Sequence, residues 1–313
     1  MKLTIGKHDV QLTNLDKVLW PELGYTKGDL INYYINMYPY LKEYLLNRPL
    51  SMKSYPDGIN GKSFYQKDCP DYAPHWLSTY GIFSGHRKDI INWVTINKLS
   101  DLVWVANRAS IELHTWFSTT TNLDKPDFAV FDLDPGSKSS MKDVVDIALT
   151  IKNILDEFNV RSFVKTSGKR GLHVYIPVKT RYTYKEIRSF LQNVAEMVIK
   201  LKPEQATVEW RKNKRQGKVY IDYRQNGKSK TLPAPYSLRP TSKATVSTPL
   251  KWSEITPDLN PDNYNIKNIE TRIKQKGNIW ETLLKIRQEL PGLFLGLLLF
   301  LSFSLFGGLN TFL

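Results

Sequence analysis

The segment Ala129-Val130-Phe131-Asp132-Leu133-Asp134-Pro135-Gly136, AVFDLDPG, decides how this chain is read. An apolar run that ends in two aspartates is costly unless something pairs with the charges. With Phe128 added, the run alternates. Phe128, Val130, Asp132 and Asp134 share one face of a strand, and Ala129, Phe131 and Leu133 share the other. Two carboxylates two residues apart therefore converge on one side, and Pro135-Gly136 breaks the strand behind them. Two readings follow: a strand end with solvated acids before a turn, or a divalent-metal site, because hard cations take carboxylate oxygens.

Working outward, other runs repeat the pattern. In GLHVYIPV, Leu172, Val174, Ile176 and Val178 form an apolar face with His173 and Tyr175 opposite; in KVYID, Val219 and Ile221 oppose Lys218, Tyr220 and Asp222; in SIELHTW, Ile111 and Leu113 oppose Glu112 and His114. A half-covered sheet alternates in any case, but here His, Asp and Tyr recur on the second face. KTSGKRGLH, residues 165–173, adds Ser167, Gly168 and Gly171 for a tight turn with exposed amides, and Lys169, Arg170 and His173 as donors. Three carboxylates beside a phosphate-binding loop suit two-metal phosphoryl transfer.

Helices are expected between these strands. Thr26 is an N-cap with Asp29 three residues on, followed by Leu30, Tyr33, Tyr34, Met37, Leu41, Tyr44 and Leu45 at helical spacing. Residues 143–158 and 184–201 are amphipathic helices, residues 49–120 read as short strands and loops, residues 218–226 as a strand, and a short helix lies near 267–289. Alternating helices and strands argue a layered α/β or α+β domain.

Composition limits the function classes. With 41% hydrophobic and 12% aromatic residues in 313, the chain can build a sizeable core, which argues against wholesale disorder. The formal charge of +14 favours a polyanionic partner, nucleic acid or membrane. Cys69 is the single cysteine, which excludes an internal disulfide and a Cys-rich zinc site and suits a reducing compartment. The N-terminus lacks the apolar core of a signal peptide, so a cytoplasmic location is expected. Residues 290–313 carry no charge and are long enough to span a bilayer, with Lys285 and Arg287 on the cytoplasmic side. This tail reads as a membrane anchor, a buried helix or a non-native end; the compositional break favours the last.

Taken together, LTNLDKVLWPELGYTKGDL, FYQKDCPDYAPHWL, DLVWVANRASIELH, FDLDPG, TSGKRGLHVYIP, VYIDYRQNGKSKTLPAPYSLRP and VSTPLKW, in that order from about residue 8 to 285, resemble the polymerase domain of bacterial DNA ligase D, a branch of the archaeo-eukaryotic primase superfamily used in non-homologous end joining. The resemblance implies an α+β, primase-like fold: mixed or antiparallel sheets flanked by helices, an N-terminal α/β part and an RRM-like catalytic part. It implies one domain over 1–289, with a DNA-end-binding part over about 1–120 and a catalytic part over about 121–289. Asp132, Asp134 and Asp222 match catalytic carboxylates that hold two divalent ions, Mn2+ or Mg2+. His114, Ser167, Lys169, His173, Gln225, Lys230 and Arg239 match the nucleotide site. The family loop often has Ser-Lys-Gly where this chain has Lys169-Arg170-Gly171, so which cation reaches the phosphates stays open.

The same resemblance implies that Asn14, Lys17 and Lys27 bind a DNA 5′-phosphate and that Phe64 and Tyr65 stack on the template. The implied activity is template-directed nucleotide addition at gaps and ends of double-stranded DNA, using NTP or dNTP with ribonucleotides preferred, beside Ku and a ligase. Two rivals stand. One is a non-catalytic end-binding module that tethers Ku or ligase; the other is an Asp-x-Asp glycosyltransferase at a membrane.

Overall fold

The computed structural model describes residues 1–291. Its centre is a six-stranded sheet in the order Ala206–Thr207, Val219–Asp222, Phe128–Asp134, Leu172–Pro177, Phe163–Thr166, Pro249–Leu250; every pairing is antiparallel except that of the first two strands. A second, four-stranded antiparallel sheet runs Leu232–Pro233, Ser110–Thr115, Leu50–Ser54, Phe64–Gln66. The fold is α+β, as expected.

The two faces of the six-stranded sheet go to different cores, and the sequence alternation says why. Ala129, Phe131, Leu133, Leu172, Val174, Ile176, Val219 and Ile221 pack against α3 (Met141–Glu157) and α4 (Tyr184–Leu201). Val144, Ile147, Ala148, Ile151 and Leu155 supply the buried stripe of α3, each large side chain contributing about 1.5–3 kcal/mol. Capping boxes start both helices, Ser140 with Asp143 and Thr183 with Glu186. Phe128, Val130 and Tyr175 turn the other way, into a core shared with α1 (Lys27–Leu45), α2 (Leu99–Asn107) and the four-stranded sheet.

Helix α1 begins at the expected cap, where the Thr26 hydroxyl accepts from the Asp29 N–H. Its Tyr34 hydroxyl donates to Ile111 O at 2.6 Å and its Tyr33 hydroxyl to Tyr236 O at 2.7 Å, fixing two segments that reach the site. Helix α2 corrects the reading of 49–120 as strands and loops alone. Leu102, Val103, Val105 and Ala106 are all buried, but at nine residues the helix is too short for a helical period to stand out. Its start is set by buried Asp101, whose carboxylate accepts from the N–H groups of Asn97, Lys98 and Ser78 at 3.0, 3.2 and 3.3 Å. The strand expected over 218–226 stops at Asp222, and the helix expected near 267–289 is α5 (Ile269–Lys276) followed by a 3-10 turn at Leu283–Lys285.

No helix among the described residues is long and apolar enough to cross a membrane. The tail expectation lies outside the described residues from 292 onward; Leu290, at its start, is buried against the α3–α4 core.

Candidate active site

The Phe128–Asp134 strand runs between Val219–Asp222 and Leu172–Pro177, so Asp132 has Asp222 directly across one ladder and His173 across the other. Directly opposed residues share a face. His173 Nε2 lies 3.2 Å from Asp132 Oδ1. Asp134 follows on the same face at the exposed end of the strand.

Like charges and desolvation show in the titration of these groups. Burial lifts Asp132 to about 6, against the pull of Lys165, Arg239 and Arg215. Desolvation within the cleft, then the Asp132 carboxylate, lifts Asp134 to about 7. Asp222 is raised by burial and then by Asp132. Carboxylates held together in this way favour a shared proton or a bound cation. Among the described residues no group of three or more His, Cys, Asp or Glu side chains is placed to hold a metal ion.

The carboxylates open into a cleft of about 660 Å³. Of the expected nucleotide-site residues, His114, Ser167, Lys169, His173, Gln225, Lys230 and Arg239 all line it, as do Asp132, Asp134 and Tyr65; Asp222 sits beside Asp132 outside the lining. Both Lys169 and Arg170 reach the cleft. The Gln225 N–H donates to Asp222 Oδ1 at 3.1 Å and its Nε2 to Thr231 O at 3.1 Å, so the turn after the strand is tied to the third carboxylate. Lys230 donates to Arg224 O at 2.7 Å.

The 167–171 loop differs from the expected nest of open amides. Its Ser167 N–H donates to Gly171 O, and the Lys169 and Gly171 N–H groups donate to Ser167 Oγ at 3.2 and 3.1 Å. Those three amides are used inside the loop, so side chains supply most of its donors toward the cleft. The two glycines are required by packing. A Cβ on Gly171 would stand 2.2 Å from Leu133 O, and Gly168, at φ +72°, would bring one within 2.5 Å of Arg239 Cγ.

Several residues in or behind the cleft wall were not singled out from sequence. Lys165 is wholly buried, with Nζ 2.8 Å from His173 Nδ1 and bonded to Ser247 Oγ. No local pattern marks it: it reaches His173 only because the two strands pair with Lys165 opposite His173. Glu112 was placed on the polar face beside His114 but given no role; it hydrogen-bonds Tyr55 and His114 and forms an ion pair with Arg239. Lys212 and Arg215 line the cleft itself, from the basic run WRKNKR at 210–215.

Asn14, Lys17, Lys27 and Phe64 do not line this cleft. Lys27 is 5% exposed; its Nζ donates to Thr13 Oγ1 and Asn107 O, both at 3.1 Å, and among the described residues it has no carboxylate partner. Burial and the nearby Lys17 ammonium lower its pKa. Lys17 itself meets Asp57 at 2.8 Å, and Asn14 next to it holds a left-handed φ of +49°. Phe64 and Tyr65 are both exposed, yet neighbours on a strand face opposite ways. Tyr65 turns to the cleft, edge-on to His114 with ring centroids 5.6 Å apart, and Phe64 lies outside it.

Comparison with known proteins agrees with this arrangement. The family described as LigD, primase-polymerase domain, matches residues 26–280. The bifunctional non-homologous end joining protein LigD of Bacillus subtilis is 36% identical over 269 residues, covering 86% of this chain and 43% of that protein. The multifunctional LigD of Mycolicibacterium smegmatis is 33% identical over 253 residues, covering 80% of this chain and 33% of that one. The chain thus spans less than half the length of these relatives. Among solved structures, the polymerase domain from Mycobacterium tuberculosis ligase D in complex with DNA superposes with a TM-score of 0.82 at 32% identity, covering 89% of this chain and 99% of that one. With the match covering α1 through α5 and every cleft-lining carboxylate, the chain belongs to the LigD primase-polymerase domain family.

Proposed function

We propose that this chain is a template-directed nucleotidyltransferase that fills short gaps and extends DNA ends during non-homologous end joining. The observation that carries the reading is the register that sets Asp132 opposite Asp222, with Asp134 two residues on, in a cleft whose other walls are basic. Asp132, Asp134 and Asp222 would hold two divalent ions, Mn2+ or Mg2+. The donor set fits: hard oxygen ligands, with an open cleft in place of a closed cage, match ions that complete their shells with substrate phosphates. When bound, such ions activate a primer 3′-hydroxyl and neutralise charge during displacement at the α-phosphate.

The protein's own part is placement. Lys169 or Arg170, Lys230 and Arg239 bring positive charge to the triphosphate of an NTP or dNTP; Ser167 holds their loop shut, and His114, His173 and Gln225 border the nucleotide. Positioning and charge stabilisation carry phosphoryl transfer without a nucleophilic side chain. Lys27, buried and among the described residues without a carboxylate partner, supports a 5′-phosphate site with Lys17 and Asn14. Tyr65, and Phe64 on the opposite side of its strand, serve as stacking surfaces for the template. We take residues 1–120 as the DNA-end-binding part and 121–289 as the catalytic part of one cytoplasmic domain, with Ku and a ligase as partners and ribonucleotides preferred.

Primer extension on a gapped duplex, with and without a 5′-phosphate, tests this with Mn2+ and either NTP or dNTP. Addition stimulated by the phosphate and by NTP is expected. Addition indifferent to the phosphate removes Lys17 and Lys27 from the reading. Tight DNA binding with no addition favours the tethering module instead.

A further inference from the structure

Glu112 is 1% exposed, yet its carboxylate gathers four groups. The Tyr55 hydroxyl donates to Oε1 at 2.5 Å, and Lys53 Nζ lies 3.3 Å from the same oxygen. Arg239 Nε stands 3.1 Å from Oε2 and His114 Nε2 3.3 Å from it. The register explains how they meet: Glu112 pairs with Lys53 across the four-stranded sheet, and Arg239 arrives from the segment anchored by Tyr33. Arg239 lines the cleft, is 8% exposed, and keeps both Nε and Nη1 without a hydrogen-bond partner among the described residues, so its tie to Glu112 is an ion pair. A buried guanidinium with an idle donor, tethered by a carboxylate, is built to receive an anion.

We infer that Glu112 is a positioning residue for the triphosphate: it holds Arg239 and His114 at the cleft wall without touching substrate. The identity of the ligand rests on the nucleotidyltransferase reading. His114 supports the same role. Burial pushes its pKa down to about 4, so the ring is neutral near pH 7. A carboxylate cannot donate, so the shared proton sits on Nε2 and Nδ1 is left as an acceptor.

The inference makes a prediction opposite in sign to plain electrostatics. A carboxylate beside an anion site repels the anion, so its removal alone should tighten binding. If Glu112 instead holds the cations in place, its removal frees Arg239, whose side chain has much rotamer entropy to lose again on binding. It also leaves Lys53, Arg239 and Lys169 to repel one another.

The test is equilibrium binding of inorganic tripolyphosphate to the whole chain by calorimetry, with steady-state nucleotide addition alongside, for wild type, Glu112→Gln and Tyr55→Phe. Glu112→Gln should bind tripolyphosphate about tenfold more weakly, the scale of one charge-assisted contact. It should raise KM for NTP by a similar factor, with a smaller change in kcat and none in KM for DNA. Tyr55→Phe, which removes one anchor of Glu112 and no cation, should weaken binding about two- to threefold. Unchanged or tighter binding in the variants, or no binding by wild type, overturns the inference. If Glu112→Gln does not fold, Tyr55→Phe decides. Wild type that binds tripolyphosphate but adds no nucleotide defeats the polymerase reading while the binding comparison still judges Glu112.

Discussion

Arg48 and Asp127 form a two-pronged ion pair, Nη1–Oδ1 2.8 Å and Nη2–Oδ2 2.6 Å, with side chains only 3% and 7% exposed. Arg48 precedes the Leu50–Ser54 strand of one sheet and Asp127 the Phe128–Asp134 strand of the other, so the pair joins the two sheets directly upstream of Asp132 and Asp134. The guanidinium also lies 4.6 Å over the Phe128 ring. Asp127→Leu leaves a buried guanidinium with no acceptor, and Arg48→Met leaves a buried carboxylate; each should cost about 3–5 kcal/mol. That is a large share of the roughly 5–15 kcal/mol that holds an ordinary domain folded. Replacing both at once, Arg48→Met with Asp127→Leu, removes the two desolvation penalties together and should cost far less than the sum of the two single changes. Urea unfolding of the four proteins, followed by tryptophan fluorescence, measures the cycle. Single changes below about 1 kcal/mol, or a double change equal to the sum of the singles, would refute the assignment of this pair as the tie between the sheets.

Three further outcomes follow from the site and its supports. Asp132→Asn should abolish nucleotide addition in the gap-filling assay. Its melting temperature in metal-free buffer should be equal or higher, because it relieves repulsion across the Asp132–Asp222 pair. Gly171→Ala forces a Cβ to 2.2 Å from Leu133 O, so the loop or the Phe128–Asp134 strand must move. About 1–3 kcal/mol of stability should be lost, together with most of the activity, as read by urea unfolding and primer extension. Burial alone would raise the Glu254 carboxyl, but bonds from Arg272 at 2.7 Å and Lys276 at 2.6 Å hold it down to about 2. A carboxyl lower in the folded state than its ordinary 4.5 stabilises above that pH and loses its contribution as pH falls toward about 2. Glu254→Gln should therefore flatten the acid-unfolding profile across that window, as followed by circular dichroism.

Much of the fold was legible because its signals are local. The Thr26–Asp29 cap, the stripe of α3 and the alternation of Phe128–Asp134 each depend on residues within a turn or two of one another. Helix α2 was not legible. Its nine residues are too few for a helical period to stand out, and its start depends on Asp101 capping N–H groups at Ser78 and Asn97. The strand ending at Asp222 was read too long because Gln225 folds back onto that carboxylate, a contact the run VYIDYRQN does not announce.

What the sequence by itself determined is the chemistry of single strands: which residues point away from the apolar core, and that Asp132, Asp134, His114, His173 and Asp222 stand on those faces. A side-chain period of two is a property of the backbone and needs no partner. Only the tertiary structure decided which faces meet. The register set Asp132 between Asp222 and His173, buried Lys165 behind His173, and brought Lys53, Tyr55, Glu112 and Arg239 to one point from segments far apart in the chain. A charge such as Glu112 reads as an ordinary surface acid in the sequence. It survives burial only because the fold delivers cations and a hydroxyl to both of its oxygens, and no local pattern encodes that delivery.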